Sequence, residues 1–152
     1  MASIRSQCVD AIVALLNDPT GRPAGLATVV RGQLRPPTVA AGLKVILVRT
    51  GGEARPVPVG SVDGPIHHHD LEVIVDAIAA GDGSTAPDVA VDPLVCWIVK
   101  KLDGARLPNL AEIVIEGECK YVYQQGDYPL CRVSNRYLVF HTTKTGDAEV
   151  VA

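Results

Sequence analysis

The sequence HHHDLEVIVDAIA, spanning His67–Ala79, alternates polar and apolar residues over most of its length. From its fourth residue onward, the apolar side chains occupy every second position, which is typical of a β-strand with one buried face. Extending the alternation backward places His67 and His69 on the face of Leu71, with His68 on the opposite face. The stretch therefore predicts a strand that enters a sheet through its histidines and continues into the core.

The three consecutive histidines raise the possibility of a metal site. Histidines two apart on a strand can chelate zinc, but a protein zinc site normally needs at least three ligands. The sequence has no HExxH, second HxH or CxxC, and the remaining histidine, His141, lies far along the chain. We therefore expect no metal or cofactor at His67–His69 and interpret the run as a partly exposed strand entrance. Serine at all three positions should change stability by no more than roughly 0.5 kcal/mol.

An enzyme should show a nucleophile, a base and a stabilising group at workable positions. The sequence contains no GxSxG, no glycine loop followed by lysine and no helix-borne histidine pair. The best catalytic arrangement would join His67–Asp70 to Asp63 or Asp82 from the flanking loops. We predict that the chain is not an enzyme and has no catalytic residues. A metal-dependent enzyme that uses His67–His69 is the alternative from a different functional class.

The composition favours one domain, residues 1–152, with an aliphatic core. Apolar residues make up 47% of the chain but aromatic residues only 4%, so valine, leucine, isoleucine and alanine must build the core. The net charge of −3 argues against a protein that neutralises many DNA phosphates by itself. No signal sequence or apolar run of membrane-spanning length is present, so we expect no membrane association. The four cysteines predict reduced thiols, with Cys119 and Cys131 as candidates for neighbours on adjacent strands.

The N-terminal half predicts one helix, two strands and a long loop. The segment SIRSQCVDAIVALLNDP predicts a helix with Ser3 as its N-cap and Pro19 as its stop. Its apolar stripe comprises Ile4, Cys8, Ile12, Leu15 and Leu16. LATVVRGQL and LKVILVRT predict strands, the second of them central because it is almost wholly apolar. Residues Gly51–Pro65 contain four glycines and three prolines, which predicts a loop excursion.

The C-terminal half predicts a second helix and two strands. In DPLVCWIVKKL, Asp92 caps the helix and Pro93 occupies its first turn, although a start at Pro87 would place Pro93 in the interior. The predicted buried face of this helix comprises Leu94, Trp97, Ile98 and Leu102. AEIVIEGECKYVYQQ then predicts a strand that buries Ile113, Ile115, Cys119, Tyr121 and Tyr123 on one face. The last strand begins at Leu130.

These elements predict an α+β fold in the order α-β-β-β-α-β-β. About five strands should form a mainly antiparallel or mixed sheet, and both helices should pack on one of its faces. No internal repeat or low-complexity tract interrupts the chain.

The order of several segments resembles the tail terminator (tail completion, minor tail protein U-like) family of long-tailed bacteriophages. The segments are the N-terminal helix, RPAGLATVVRGQLRPPTVAAGLKVILVRTGGEA, HHHDLEVIVDAIAAG, DPLVCWIVKKL and YPLCRVSNRYLVFHTTKTGDAE. Leu43–Glu53 and Leu71–Ala79 stand where the family has a strand with a glycine-containing turn and a strand of the type L.VEI.VVA. The family's closing Y.T..GDP pattern reads HTTKTGDAE here, with His141 replacing the tyrosine and Ala148 the proline.

The resemblance implies a structural protein of the virion, assembled in the host cytoplasm. Such a protein forms a homohexameric ring that caps the tail tube, stops its polymerisation and joins the tail to the neck or head connector. DNA would only pass through the ring lumen. A neck or head-closure ring protein of the same virion is the alternative. The excursion with Arg49, Glu53 and Arg55 is the predicted contact with neighbouring subunits or the tube, and its alternative interpretation is a solvated loop.

Overall fold

The computed structural model describes residues 3–26, 28–32, 39–53, 57–59, 66–107, 113–144 and 147–151. In chain order, the elements in these ranges are α1 Ile4–Leu16, β1 Thr28–Arg31, β2 Lys44–Glu53, β3 Val57–Val59, β4 Ile66–Ala80, α2 Pro87–Leu102, β5 Ile113–Gln124, β6 Leu130–Lys144 and β7 Asp147–Val151. The predicted α+β class and element order are confirmed, and the short strands β3 and β7 are additions to the predicted order.

The strands form one mixed sheet in the order β1-β2-β4-β6-β5. β1 is parallel to β2 and all other pairs are antiparallel. The histidine-led strand β4 lies in the middle and pairs with β6 along its whole length, from Ile66 opposite Lys144 to Ala80 opposite Leu130. The short strand β3 also pairs with β4, and β7 pairs with β6. β1 and β5 therefore form the two edges of the five-strand path.

Part of the predicted excursion at residues 51–65 is strand. β2 continues to Glu53, and Val57–Val59 pairs with Ile66–His68 at the start of β4. Residues 54–56 and 60–65 lie outside the described part of the chain, so a loop there remains a prediction.

Both helices lie on the same face of the sheet, as predicted. α1 packs on β1 and β2, whereas α2 packs on β4 and β6. The odd-numbered residues of β4 from Leu71 to Ala79 face the helices and are all fully buried. Aliphatic side chains dominate this core, as the composition predicted, and no described helix is long and apolar enough to cross a membrane.

The first helix begins and ends close to the predicted positions. The Ser6 N–H donates to the Ser3 hydroxyl at 3.3 Å, which confirms the N-cap. The helix ends at Leu16, three residues before the predicted stop at Pro19. Val9 is fully buried, whereas Leu15 is only half-buried. The buried face of the helix is therefore rotated slightly from the predicted face.

The second helix begins at Pro87, so the prediction that Asp92 caps it is wrong. Pro87 suits the first helical turn, which needs no proline N–H. Pro93 then lies inside the helix and cannot donate to the carbonyl of Val89. The Val89 side chain is 61% exposed, so water can reach this part of the backbone and lower the cost of the lost hydrogen bond. The predicted buried face of the helix is confirmed.

The candidate neighbours Cys119 and Cys131 do not face each other. The register of β5 and β6 places Cys119 opposite Asn135 and Cys131 opposite Tyr123. Cys8 and Cys131 are buried, whereas Cys96 and Cys119 are exposed.

Trp97 joins the two helices and provides a test of the core. Its side chain is 3% exposed, and its indole N–H donates to the Leu16 carbonyl at 3.1 Å. Trp97→Ala should cost about 3–5 kcal/mol of unfolding free energy because it leaves a large cavity. Trp97→Phe should cost less, since it keeps most of the packing and loses the hydrogen bond. Urea unfolding measures both values, and native fluorescence typical of a solvent-exposed indole would contradict this placement.

Candidate assembly surfaces

The sheet face without helices carries a charged network centred on Asp76. The Asp76 side chain is fully buried. Its carboxylate accepts hydrogen bonds from Arg132 at 2.6 Å, Ser134 at 2.6 Å and Arg49 at 3.0 Å. Asp76 lies on β4, Arg49 on β2, and the other two donors on β6. The buried carboxylate therefore connects three neighbouring strands.

These donors keep the Asp76 carboxylate ionised. Burial alone would raise its pKa, because it disfavours the charged form. The hydrogen bonds from Arg132, Ser134 and Arg49 outweigh that penalty and hold the pKa of Asp76 below its usual value. A buried carboxylate with two guanidinium partners is therefore a structural centre of this face.

A second ion-pair group extends the network toward the sheet edge. Arg136 donates to Glu72 at 2.6 Å and to Glu118 at 3.2 Å, which links β4, β6 and β5. Together the two groups line an open depression of about 480 Å³. Its charged lining comprises Arg49, Lys120, Arg132, Arg136, Glu72 and Glu118. Most of these charges are already paired within the chain, so the surface is polar without a strong charge of either sign. Such a surface suits contact with another polar surface.

The predicted contact residues have different positions. Arg49 lies on this face, and 45% of its side chain remains exposed beside Asp76. Glu53 is the last residue of β2, but its side chain lies outside the described part of the chain, as does all of Arg55. The structure therefore brings Arg49 into the network and leaves the contact role of Glu53 and Arg55 as a prediction.

The histidine run ends in a buried stack that the sequence did not reveal. His69 is 6% exposed and on the predicted face, while His68 is exposed. His141, opposite His69 in the register, stacks on it with ring centroids 4.6 Å apart and planes 6° apart. The His69 Nε2 is 2.8 Å from the Thr143 hydroxyl. The predicted partly exposed strand entrance therefore describes His67 and His68, whereas His69 is buried.

The stacked geometry is unsuited to a shared metal ion. Parallel rings direct their nitrogens within parallel planes, whereas ligands must point toward one centre. Within the described ranges, no group of three or more His, Cys, Asp or Glu side chains is placed to hold a metal.

Three helix-facing side chains of edge strand β5 are exposed to solvent. Tyr121 is 49% exposed, Tyr123 is 59% exposed and Cys119 is also exposed, so the prediction that they are buried is wrong. The width of two helices relative to that of the sheet explains this exposure. A helix is about 10 Å wide and strands are about 4.8 Å apart, so two helices cover roughly four of the five strands.

Exposed acidic residues of α2 lie beside these side chains, because α2 contacts β5. Desolvation, then the charges of Cys119 and Asp92, raise the pKa of Tyr121. Desolvation, with contributions from Cys131 and Asp88, raises the pKa of Tyr123. Asp88 and Asp92 are exposed on α2 beside β5, so they form the acidic side of the surface between the two elements. Here, the α2–β5 groove means Asp88, Asp92 and Cys96 of α2 together with Cys119, Tyr121 and Tyr123 of β5.

Sequence signals for these surfaces were present but incomplete. Asp76 stands out as an acid within the apolar stretch VIVDAIAA, and such a residue requires partners if it is buried. Arg132 and Ser134 share a strand face by two-residue spacing, but nothing in the sequence pairs that face with Asp76.

No protein-family model and no curated protein matches this sequence. Among solved structures, the chain is similar to a chain of a particle described as the virion of a native gene transfer agent (GTA). The two chains are 19% identical with a TM-score of 0.42, over 91% of this chain and 92% of that chain. At this TM-score the likeness is one of broad outline.

Replacing Asp76 tests the charged network. Asp76→Asn should lower the unfolding free energy by about 3 kcal/mol near neutral pH, because two arginines lose a buried anion. The pKa of Asp76 is lowered by folding, so its stabilisation is present above the unfolded value near 3.9 and is lost as pH falls through the folded value. The difference between wild type and variant should therefore shrink in acid.

Urea unfolding between neutral pH and about pH 3 measures that difference. Asp10→Asn is the matched control, because it removes an exposed pair with Arg31 and should cost no more than about 1 kcal/mol. A stability difference that does not change with pH would contradict the assigned role of Asp76.

The histidines should differ in their tolerance of serine. His68→Ser should change stability by no more than roughly 0.5 kcal/mol, since the side chain is exposed. His69→Ser should cost about 1–3 kcal/mol because it removes the partner of a buried hydroxyl. Chemical denaturation of the two single variants distinguishes these effects, and equal stability would refute the buried stack.

Proposed function

We propose that this chain is a tail terminator subunit, which forms a closed homomeric ring of six copies on a bacteriophage tail tube. The ring stops tube polymerisation and joins the tail to the neck or head connector. The sequence resemblance supports the tail role, and the uncovered face of β5 supports the association of copies. The function is structural and requires no catalytic residue, metal or cofactor.

The exposed tyrosines of β5 are the observation that carries the ring. The strand has the alternation of a half-buried element, yet the described part of the chain leaves Tyr121 and Tyr123 open to water. Large exposed aromatic side chains at a sheet edge are typical of protein interfaces. A second copy would cover this face, and repetition of the same contact closes a ring when the rotation between copies allows it.

The charged, helix-free face is the surface left for the tube or connector. Association through the exposed, helix-facing side of β5 leaves the helix-free face of each sheet available for other contacts. The Asp76 network makes the helix-free face rigid, and its mixed charges favour a partner with complementary polar groups. The predicted contact residue Arg49 lies on this surface.

The mass of the native particle tests the proposal. Untagged protein should form one closed species of about six subunit masses, and that species should bind purified tail tubes. Adding it to an assembly reaction should stop tubes at normal length and restore joining to heads. Native mass spectrometry and electron microscopy measure these results.

The outcomes separate the tail terminator from its alternative. A ring that binds the head connector but never the tube would identify a neck or head-closure protein and overturn the terminator role. A chain that stays monomeric beside purified tubes would overturn both. Arg49→Glu is not a suitable interface variant, because the new carboxylate would lie beside buried Asp76 and destabilise the fold.

A further inference from the structure

We infer that the α2–β5 groove receives the α1–β1 edge of the next copy, so that the copies associate head to tail. The α1–β1 edge means helix α1, residues 17–26 and strand β1, with the basic residues Arg5, Arg22 and Arg31, together with Lys44 at the start of β2. This inference rests on the proposed function, because it identifies which two surfaces meet in the ring.

The groove is a continuous strip along β5. α2 contacts β5. Asp88 and Asp92 are exposed four residues apart on the helix, and Tyr121 and Tyr123 are exposed two residues apart on the strand. These steps match in length, since four residues of helix rise about 6 Å and two residues of strand about 6.8 Å. The next pair in the series is Cys96 and Cys119, and both thiols are exposed.

Strand direction permits the opposite edge to fill this groove. β1 is parallel to β2, which is antiparallel to β4. β6 reverses the direction again and β5 reverses it once more. β1 and β5 therefore run in opposite directions, and a head-to-tail repeat places them antiparallel, which is the more stable arrangement for a strand pair.

Charge also favours this partner. The groove wall carries Asp88 and Asp92, whereas the α1–β1 edge carries four basic residues and only two acidic ones, Asp10 and Asp18. Asp18 is already paired with Lys101. Arg31 contacts Ser6 and Asp10, and Lys44 contacts the Ala24 carbonyl, so these cations are held close to the edge. Complementary charges at the rim select the correct partner and orientation more than they raise affinity.

The same charges disfavour two grooves packing against each other. A twofold contact of that kind would bring the acidic walls of both copies together, and like charges across an interface oppose association. A contact between two grooves would also fill the groove of both copies, so no third copy could bind and the assembly would stop at a dimer. A contact between two different edges can instead repeat around a ring.

The test uses two variants that damage opposite edges. The groove variant is Tyr121→Ser with Tyr123→Ser, and the edge variant is Arg22→Glu with Arg31→Glu. Val122→Ser is the groove control, because this 40% exposed residue lies on the other face of β5. Arg106→Glu is the edge control, since it reverses an exposed charge beyond the end of α2.

Each damaged variant should remain monomeric by native mass spectrometry under conditions where wild type and both controls form rings. An equal mixture of the two damaged variants should form dimers and nothing larger, because each pair retains one intact groove and one intact edge. Rings formed by the edge variant alone, or a mixture that stays monomeric, would overturn the inference. Dimers of the edge variant alone would indicate contact between two grooves and would also overturn it.

The natural cysteines provide an independent measurement. In wild-type rings, Cys96 and Cys119 should react with iodoacetamide at least about tenfold more slowly than in the edge variant, whose groove is intact but unfilled. Buried Cys8 and Cys131 should stay unreactive in both proteins. Reaction of Cys8 or Cys131 in the edge variant would show that its fold is disturbed. Arg31→Gln then replaces the edge variant, and Cys96 and Cys119 should again react faster than in wild-type rings.

Failure of the inference differs from failure of the proposed function. Wild-type rings in which Cys96 and Cys119 react as fast as in the edge variant would overturn the groove contact while leaving the tail role intact. Rings that protect both thiols but never bind tail tubes or stop their growth would support the groove contact and overturn the tail role.

Discussion

The antiparallel pairing of β4 with β6 is the constraint on which the rest of the structure depends. The two strands pair without a register shift over their full length, from Ile66 opposite Lys144 to Ala80 opposite Leu130. A slip of one residue would exchange the two faces of each strand. The register therefore places the apolar positions under the helices and brings Arg132 and Ser134 to Asp76 on the other side.

The two faces of this pair have different physical roles. Under the helices, aliphatic side chains exclude water and supply most of the driving force for folding. On the other face, the buried carboxylate of Asp76 depends on charged donors from adjacent strands. Hydrogen-bonded charges of this kind require a defined geometry, so the network limits how those strands can slide or twist. The result is a firm, polar surface without a helical cover.

The mismatch between two helices and five strands explains the open edge. A third helix in the same chain would cover β5, whereas this chain leaves Tyr121 and Tyr123 exposed. In the proposed ring, a neighbouring copy would provide this cover and join the subunits at the same time. Association of the subunits would then bury the exposed tyrosines of β5, which relates these side chains to the proposed function.

The sequence by itself determined the local structure. Alternation in β4, the Ser3 cap and the apolar face of α2 all depend on residues close together in the chain, so the order of elements followed from them. Only the tertiary structure decided what covers each face and which distant side chains meet. Arg132 lies 56 residues from Asp76, and the register of β4 and β6 brings His141 onto His69. Periodicity identifies the two faces of a strand, but burial depends on what packs against them, and nothing in the described part of the chain covers Tyr121 and Tyr123 of β5.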